Sequence, residues 1–310
     1  MNVIEDSIDF DAYLQGPDES ASIRPASDWV DDVISAFERP QSMSGSTLPW
    51  LNTHEVVRLR HGELTIWPGM SGHGKSMMIG QVALGVMAQG EKVCIASMEM
   101  KPASTMQRLC RQAFGCNAPS RRDIQDLHTW TNNRLWLYDQ QGQVSPERIL
   151  AVGRYCHERL GVSHFIVDNL LSCGIAEDGY DQQKQFVLSL ATHAHDTGQS
   201  VHLLAHSRKG KDELTPPGKF DVRGSASITD LADNVFSVWR NRGKEMAQEE
   251  GRHEKDRDED ALLIVCKHRH GEWEGRIRLW FDRRSQTYLQ HPDEQPKAMK
   301  LLTDDDYVEL

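Results

Sequence analysis

With 310 residues, 38% of them hydrophobic and 26% charged, the chain has the apolar material for one large α/β domain or at most two small ones. No run approaches the ~18 consecutive apolar residues of a membrane span. The first twenty residues carry six acids and no Lys or Arg, unlike a secretory or transit peptide, so the expected compartment is cytoplasm and no membrane partner is expected. The net charge of −11 does not exclude a nucleic-acid partner, because residues 1–20 hold −6 of it and residues 292–310 hold −4, leaving a nearly neutral body in which a basic groove can form.

In chain order, residues 1–26 are acidic, polar and aperiodic, and read as a flexible arm. Ser27 is then placed to cap a helix over 28–38, with Trp29, Val30, Val33, Ile34 and Phe37 on one face; Pro40 ends it, and a Ser-rich linker runs to residue 47. From residue 48 to 290, strand-like apolar runs at 64–67, 93–97, 135–138, 165–168, 201–205, 235–239, 262–266 and 277–281 alternate with helical spacing near 75–89, 102–114, 146–160 and 183–197. This alternation predicts an α/β fold with a mostly parallel central sheet flanked by helices. Two stretches, 207–227 and 242–260, are rich in charge, Gly or Pro and are expected as exposed loops; residues 291–310 form an acidic tail. The six cysteines, at 94, 110, 116, 156, 173 and 266, form no C-x-x-C pair and are expected to be reduced and mostly buried.

The strongest chemical signal is "PGMSGHGKS". Gly69, four residues, then Gly74-Lys75-Ser76 complete the P-loop pattern between a strand and a helix. Glycines let successive N–H groups converge on phosphate oxygens, and the helix adds its positive end. The cradle comprises Gly69, Met70, Ser71, Gly72, His73, Gly74, Lys75 and Ser76, with Lys75 reaching the β- and γ-phosphates and Ser76 on Mg²⁺. Asp168, closing the apolar strand "HFIVD", is the candidate second Mg²⁺ carboxylate, its alternative being a turn former. Because Asn169 rather than Glu follows it, the base that activates water must come from elsewhere, and Glu99 in "ASMEM" supplies it if the two strands are neighbours.

Together with "HLLAHSRKG", "DVRGSASITDLADNVFSVWRN" and "VCKHRHGEWEG", these motifs resemble, over roughly residues 48–285, the helicase domain of DnaB-like and phage T7-type replicative helicases, the group that includes Twinkle. The resemblance implies a RecA-like core assembled as a homo-oligomer, commonly a hexamer, that couples hydrolysis of an NTP (ATP or dTTP) with Mg²⁺ to 5′ to 3′ movement on single-stranded DNA in a bacterial or phage-infected cell. Carried over by position, Glu99 resembles the catalytic base, His206 a γ-phosphate sensor, and Lys267 with Arg269 the cations inserted by the neighbouring subunit; Phe281 sits where an aromatic stacks on the base. Arg208, Lys209, Lys211, Lys219, Arg223, Gly224 and Ser225 fall where the family binds DNA. The 28–38 helix resembles a linker helix that docks on the adjacent subunit; packing on its own domain is the alternative. The tail "DDDYVEL" resembles one that binds a polymerase, or a partner such as primase, against a plain solubilising role.

The chain departs from the family in having no primase or zinc-binding region before the domain, so priming is not expected of it. Asp212, Glu213 and Asp221 reduce the basicity of the DNA loop, and the 242–260 run has no assigned role. Two rival functions remain at this stage: a RecA- or RadA-like recombinase, and a nucleotide-dependent loader or clamp with little hydrolysis. The absence of zinc-binding Cys pairs argues against a RadA-like chain, and the set of Glu99, Asp168 and Arg269 against a pure binder.

Overall fold

The eight apolar runs all become strands of one sheet; the first seven are continuous because both sheet faces are covered, and the eighth, at 277–281, alternates buried and exposed residues. The structure, a computed structural model, describes residues 2–4, 25–38, 44–176, 179–207, 214–216, 226–271 and 273–301. The strands are β1 (Asn2–Ile4), β2 (Leu64–Gly69), β3 (Val93–Ser97), β4 (Leu135–Tyr138), β5 (His164–Asp168), β6 (Ser200–His206), β7 (Asn234–Arg240), β8 (Ala261–His268), β9 (Gly275–Asp282) and β10 (Thr287–Leu289). They pair in the order β1-β4-β3-β5-β6-β2-β7-β8-β9-β10. Pairing is parallel from β1 to β7 and antiparallel from β7 to β10.

Alternate side chains enter opposite cores, as a period of two requires. Phe165 and Val167 of β5 pack with helices α5 (Pro146–Leu160) and α6 (Tyr180–Thr197), while Ile166 packs with α2 (Lys75–Met87), α3 (Pro102–Phe114) and α4 (Arg121–Trp130). Caps fix several helix ends. Ser120 and Asp123 form a capping box on α4, Ser145 caps α5, and α3, α5 and α6 each end at a left-handed glycine. No disulfide forms among the described residues, and five of the six cysteines are buried.

Four expectations need correction. Asn2–Ile4, within the segment read as a flexible arm, pair in parallel with β4. Ser27 does not cap the first helix: a 3-10 turn over Ala26–Trp29 follows Pro25, and α1 begins at Val30 and ends at Glu38. The 207–227 stretch is not all exposed loop, since Ser207 is buried and α7 (Ala226–Leu231) begins within it. The charged 242–260 run opens with α8 (Arg242–Glu249), where Lys244 is buried against Asp260 at 2.7 Å and Glu245 pairs with Arg240, Arg242 and Arg283. Dense charge reads as a solvated loop by composition; here opposite signs pair, and Lys244 and Ala247 of the helix are buried.

Candidate active site

β2 is central and flanked by β6 and β7, so its C-terminal end opens where α/β sheets bind ligands. The loop from Gly69 to Gly74 depends on glycine at two points. A Cβ on Gly69 would lie 2.6 Å from the Val238 carbonyl, and Gly74 has φ +85 with its Cβ position occupied by the Tyr288 hydroxyl. Lys75 begins α2 with its side chain folded back over the loop: Nζ donates to the carbonyls of Gly69 at 2.9 Å and Met70 at 3.0 Å. Burial lowers its pKa to about 8, against the attraction of Asp168 and Glu99. Gly69 O also accepts the N–H of Ser207 at 3.1 Å, so the cradle touches the start of the segment expected to bind DNA.

The register decides the rest. Ser97 of β3 lies opposite Asp168 of β5, which brings the loop after β3 beside the residue after β5. Asn169 Nδ2–H donates to Glu99 Oε1, and its Oδ1 accepts the N–H of Leu171 at 2.9 Å, so a buried amide orients the exposed carboxylate. Asp168 is 5% exposed; burial raises its pKa, a hydrogen bond from Ser76 lowers it, Glu99 raises it, and Lys75 and Arg108 lower it. His206 ends β6 opposite Gly69.

Ser71, Gly72, Gly74, Lys75, Ser76, Glu99, Asp168 and His206 therefore surround one cavity of about 220 Å³. Arg108 of α3, Met77 and Asn169 join them. The first two were missed by sequence reasoning, and Asn169 was noted only for what it is not. An arginine among the buried Met106, Leu109 and Cys110 of an amphipathic helix was the available signal for Arg108. The His73 side chain does not face the cavity: it is 1% exposed, and its Nδ1 accepts the N–H of Arg240, which anchors the loop to β7. Met70 lines no part of the cavity and contributes its carbonyl to Lys75.

Phe281 lies in an adjoining cavity of about 400 Å³, sharing Gly72, Gly74 and Met77 with the first, and its ring meets Tyr288 at 5.0 Å. Lys267 and Arg269 are elsewhere. Val235 pairs with both Ile66 and Lys267, and Arg269 bonds to Asp233, whose N–H meets Leu64. Arg269 is thus level with the start of β2, about 16 Å down the sheet from Gly69 at ~3.3 Å per residue. The seven expected DNA contacts, Arg208, Lys209, Lys211, Lys219, Arg223, Gly224 and Ser225, lie outside the described residues, as does the tail from residue 302.

The donor set fits a magnesium ion. Ser76 and Asp168 offer hard oxygens already hydrogen-bonded to each other, the small protein contribution Mg²⁺ takes when phosphates and water complete its shell. The raised pKa of the buried Asp168 marks a carboxylate short of compensating charge, which a cation supplies.

The profile of the DnaB-like helicase C terminal domain matches residues 54–290. The DNA helicase/primase of Enterobacteria phage T3 is 25% identical over 279 residues, covering 76% of this chain and 48% of the phage protein, so the chain spans about half the length of this relative. A DnaB-like replicative helicase, solved in a study of its interactions with primase, superposes with TM-score 0.69 at 17% identity, over 86% of this chain and 67% of that one. The ATPase domain of G40P superposes with TM-score 0.71 at 17% identity, over 86% of this chain and 99% of that one. No helix among the described residues is long and apolar enough to cross a membrane.

Proposed function

This chain belongs to the family of DnaB-like helicase C-terminal domains, and on that footing we propose that it is a ring-forming, NTP-driven motor that moves 5′ to 3′ along single-stranded DNA and unwinds duplex. The observation that carries the reading is the split of one catalytic set between two places. Lys75, Ser76, Asp168 and Glu99 converge on one cavity, whereas Lys267 and Arg269 stand at the far end of the strands.

In this mechanism the loop N–H groups and Lys75 bind the triphosphate of ATP or dTTP, and Ser76 and Asp168 hold Mg²⁺. Bound there, the ion would supply positive charge toward the phosphate oxygens. Glu99, oriented by Asn169, takes the proton of the attacking water. Arg269 stabilises the transferred phosphoryl group of the neighbouring subunit, which makes hydrolysis depend on ring contact, and Lys267 joins it on leaving the three carbonyls that hold its ammonium. His206 and Ser207, both against Gly69, pass the state of the phosphates to the segment carrying Arg208, Lys209, Lys211, Lys219 and Arg223, which grips the DNA backbone in a salt-sensitive way. Phe281 stacks on the base.

Ring assembly has support in α1 and the turn before it, whose stripe Trp29, Val30, Val33, Ile34 and Phe37 is 46–86% exposed. A cavity of about 580 Å³ between α3 and α4, lined by Met106, Cys110 and Ile124, is the apolar surface a neighbour's α1 fits. Primase or a polymerase is the proposed partner of the acidic tail.

The test is unwinding of a forked DNA with Mg·NTP, beside the Glu99→Gln variant. Unwinding by the parent alone supports the motor. Strand pairing without unwinding points to a recombinase, and negligible turnover by the parent to a loader.

A further inference from the structure

One short segment holds both cations that the trans mechanism needs. Lys267 Nζ donates to the carbonyls of Thr229 at 3.1 Å, Asp230 at 3.0 Å and Ala232 at 2.7 Å, at the C-terminal end of α7, where helix carbonyls lack helical partners and the dipole favours positive charge. Arg269 Nη1 lies 2.8 Å from Asp233 Oδ1, and the Arg269 N–H donates to the Asp233 carbonyl at 3.0 Å.

Asp233 is itself immobilised. Its side chain is 1% exposed, its Oδ2 accepts the Leu64 N–H at 2.9 Å and faces His195 Nε2 at 3.4 Å, and its own N–H donates to the Leu64 carbonyl at 2.9 Å. Leu64 is the first residue of β2, the strand that ends in the phosphate cradle. Arg269, by contrast, is 41% exposed. The pair therefore has one rigid, buried end and one end at the surface. A buried carboxylate fixed by the sheet sets the direction of the guanidinium. One Nη of the fork is used, and a guanidinium carries five N–H donors in all.

We propose that Asp233 is the positioning residue for Arg269: it presents the guanidinium, already oriented, to the triphosphate bound by the adjoining subunit. The proposal rests on the trans reading of Arg269 given above. Pre-orientation matters because the charge it meets is short-lived and a misplacement of about 1 Å costs about 10²-fold in rate.

The experiment measures DNA-stimulated NTP turnover of the assembled protein for Asp233→Asn, Arg269→Ala and the double variant. Asparagine keeps an oxygen for the Leu64 N–H while removing the charge that orients Arg269. The expected result is a kcat lowered by up to about 10²-fold with KM unchanged, and no further loss when Asp233→Asn is added to Arg269→Ala. A kcat that rises would mean that Asp233 withholds the arginine, and an equal loss in the Arg269→Ala background would mean a purely structural role; either overturns the proposal. So does an unchanged kcat in Asp233→Asn when Arg269→Ala is dead. Full turnover by Arg269→Ala sinks the trans reading itself, and the proposal with it. If Asp233→Asn does not fold, Asp233→Glu reads the same split, because it keeps the charge and displaces the carboxylate by one methylene.

Discussion

The two ends of the parallel strands carry charge in different ways. At the C-terminal end, Lys75 rests on two carbonyls with its pKa lowered to about 8 by burial, and burial raises the pKa of Asp168. At the opposite end several charged and polar groups pair within the chain. Arg60 donates to His268 at 2.9 Å and lies 4.0 Å from Glu63, Asn234 donates to Glu63 at 2.8 Å, and Asp233 takes Arg269. The first end gains charge partners when a phosphate and a metal ion arrive; the second pairs Asp233 with Arg269 within the chain and turns that cation outward, while burial still raises the pKa of Glu63 and lowers that of Arg60. On the proposed function, a protein whose binding end and cation-bearing end are about 16 Å apart on one sheet would be finished by another copy of itself.

The sharpest way to break this comparison is to damage the two ends in different molecules. Lys75→Ala and Arg269→Ala should each lower turnover by at least ~10³-fold alone. Mixed before assembly, they should recover turnover, because some interfaces then pair an intact cradle with an intact arginine. Absence of recovery, with mixed rings verified by mass, would show that both ends serve one subunit. Next in size is Glu99→Gln. The amide keeps an oxygen for Asn169, so nucleotide should bind as before while kcat falls by about 10²-fold or more. Equal losses in binding and turnover would reassign Glu99 to the cradle.

A smaller effect tests the backbone of the cradle. Gly69→Ala places a methyl 2.6 Å from the Val238 carbonyl, and neither backbone can move without shifting β2 or β7. Thermal unfolding should report a loss of about 1–3 kcal/mol, the usual range for overpacking. Gly90→Ala is the control for helix-end strain without crowding, since its φ is +89 and nothing lies within 4 Å of the added carbon.

How far the sequence discloses this molecule depends on whether a feature is local. The P-loop is legible because its chemistry lies in consecutive residues. The strands are legible because burial on both faces makes them continuous. β10 and β1 are only three residues each, too short for a periodic signal. α4 is mostly polar outside Leu127 and Trp130, yet Ser120 and Asp123 carried its capping signal. Contacts set by register are the hard part. That Asn169 orients Glu99 follows from Ser97 lying opposite Asp168, and that Arg269 faces away from the cradle follows from the antiparallel turn between β7 and β8. Neither is visible in spacing; the missing Glu after Asp168 and the strand end at Glu99 pointed to Glu99 on condition that the strands are neighbours, and the family resemblance alone pointed to Arg269.

The smallest predicted effect is a pH dependence of nucleotide binding, and its sign follows from Lys75. Burial holds this amine at about 8 in the protein without ligand, well below its ordinary value, so it is charged below that pH and loses its proton as pH rises through it. The triphosphate needs the charged form. Apparent affinity for Mg-free nucleotide should therefore be flat up to about pH 8 and fall by about tenfold at pH 9, where only about a tenth of the molecules are binding-competent. Asp168 raises the pKa of Lys75 through its negative charge, so Asp168→Asn should move the break to lower pH, although it removes no contact to the phosphates themselves. A profile flat to pH 10 in the parent would mean that the ammonium is not what the triphosphate meets at this end of the sheet.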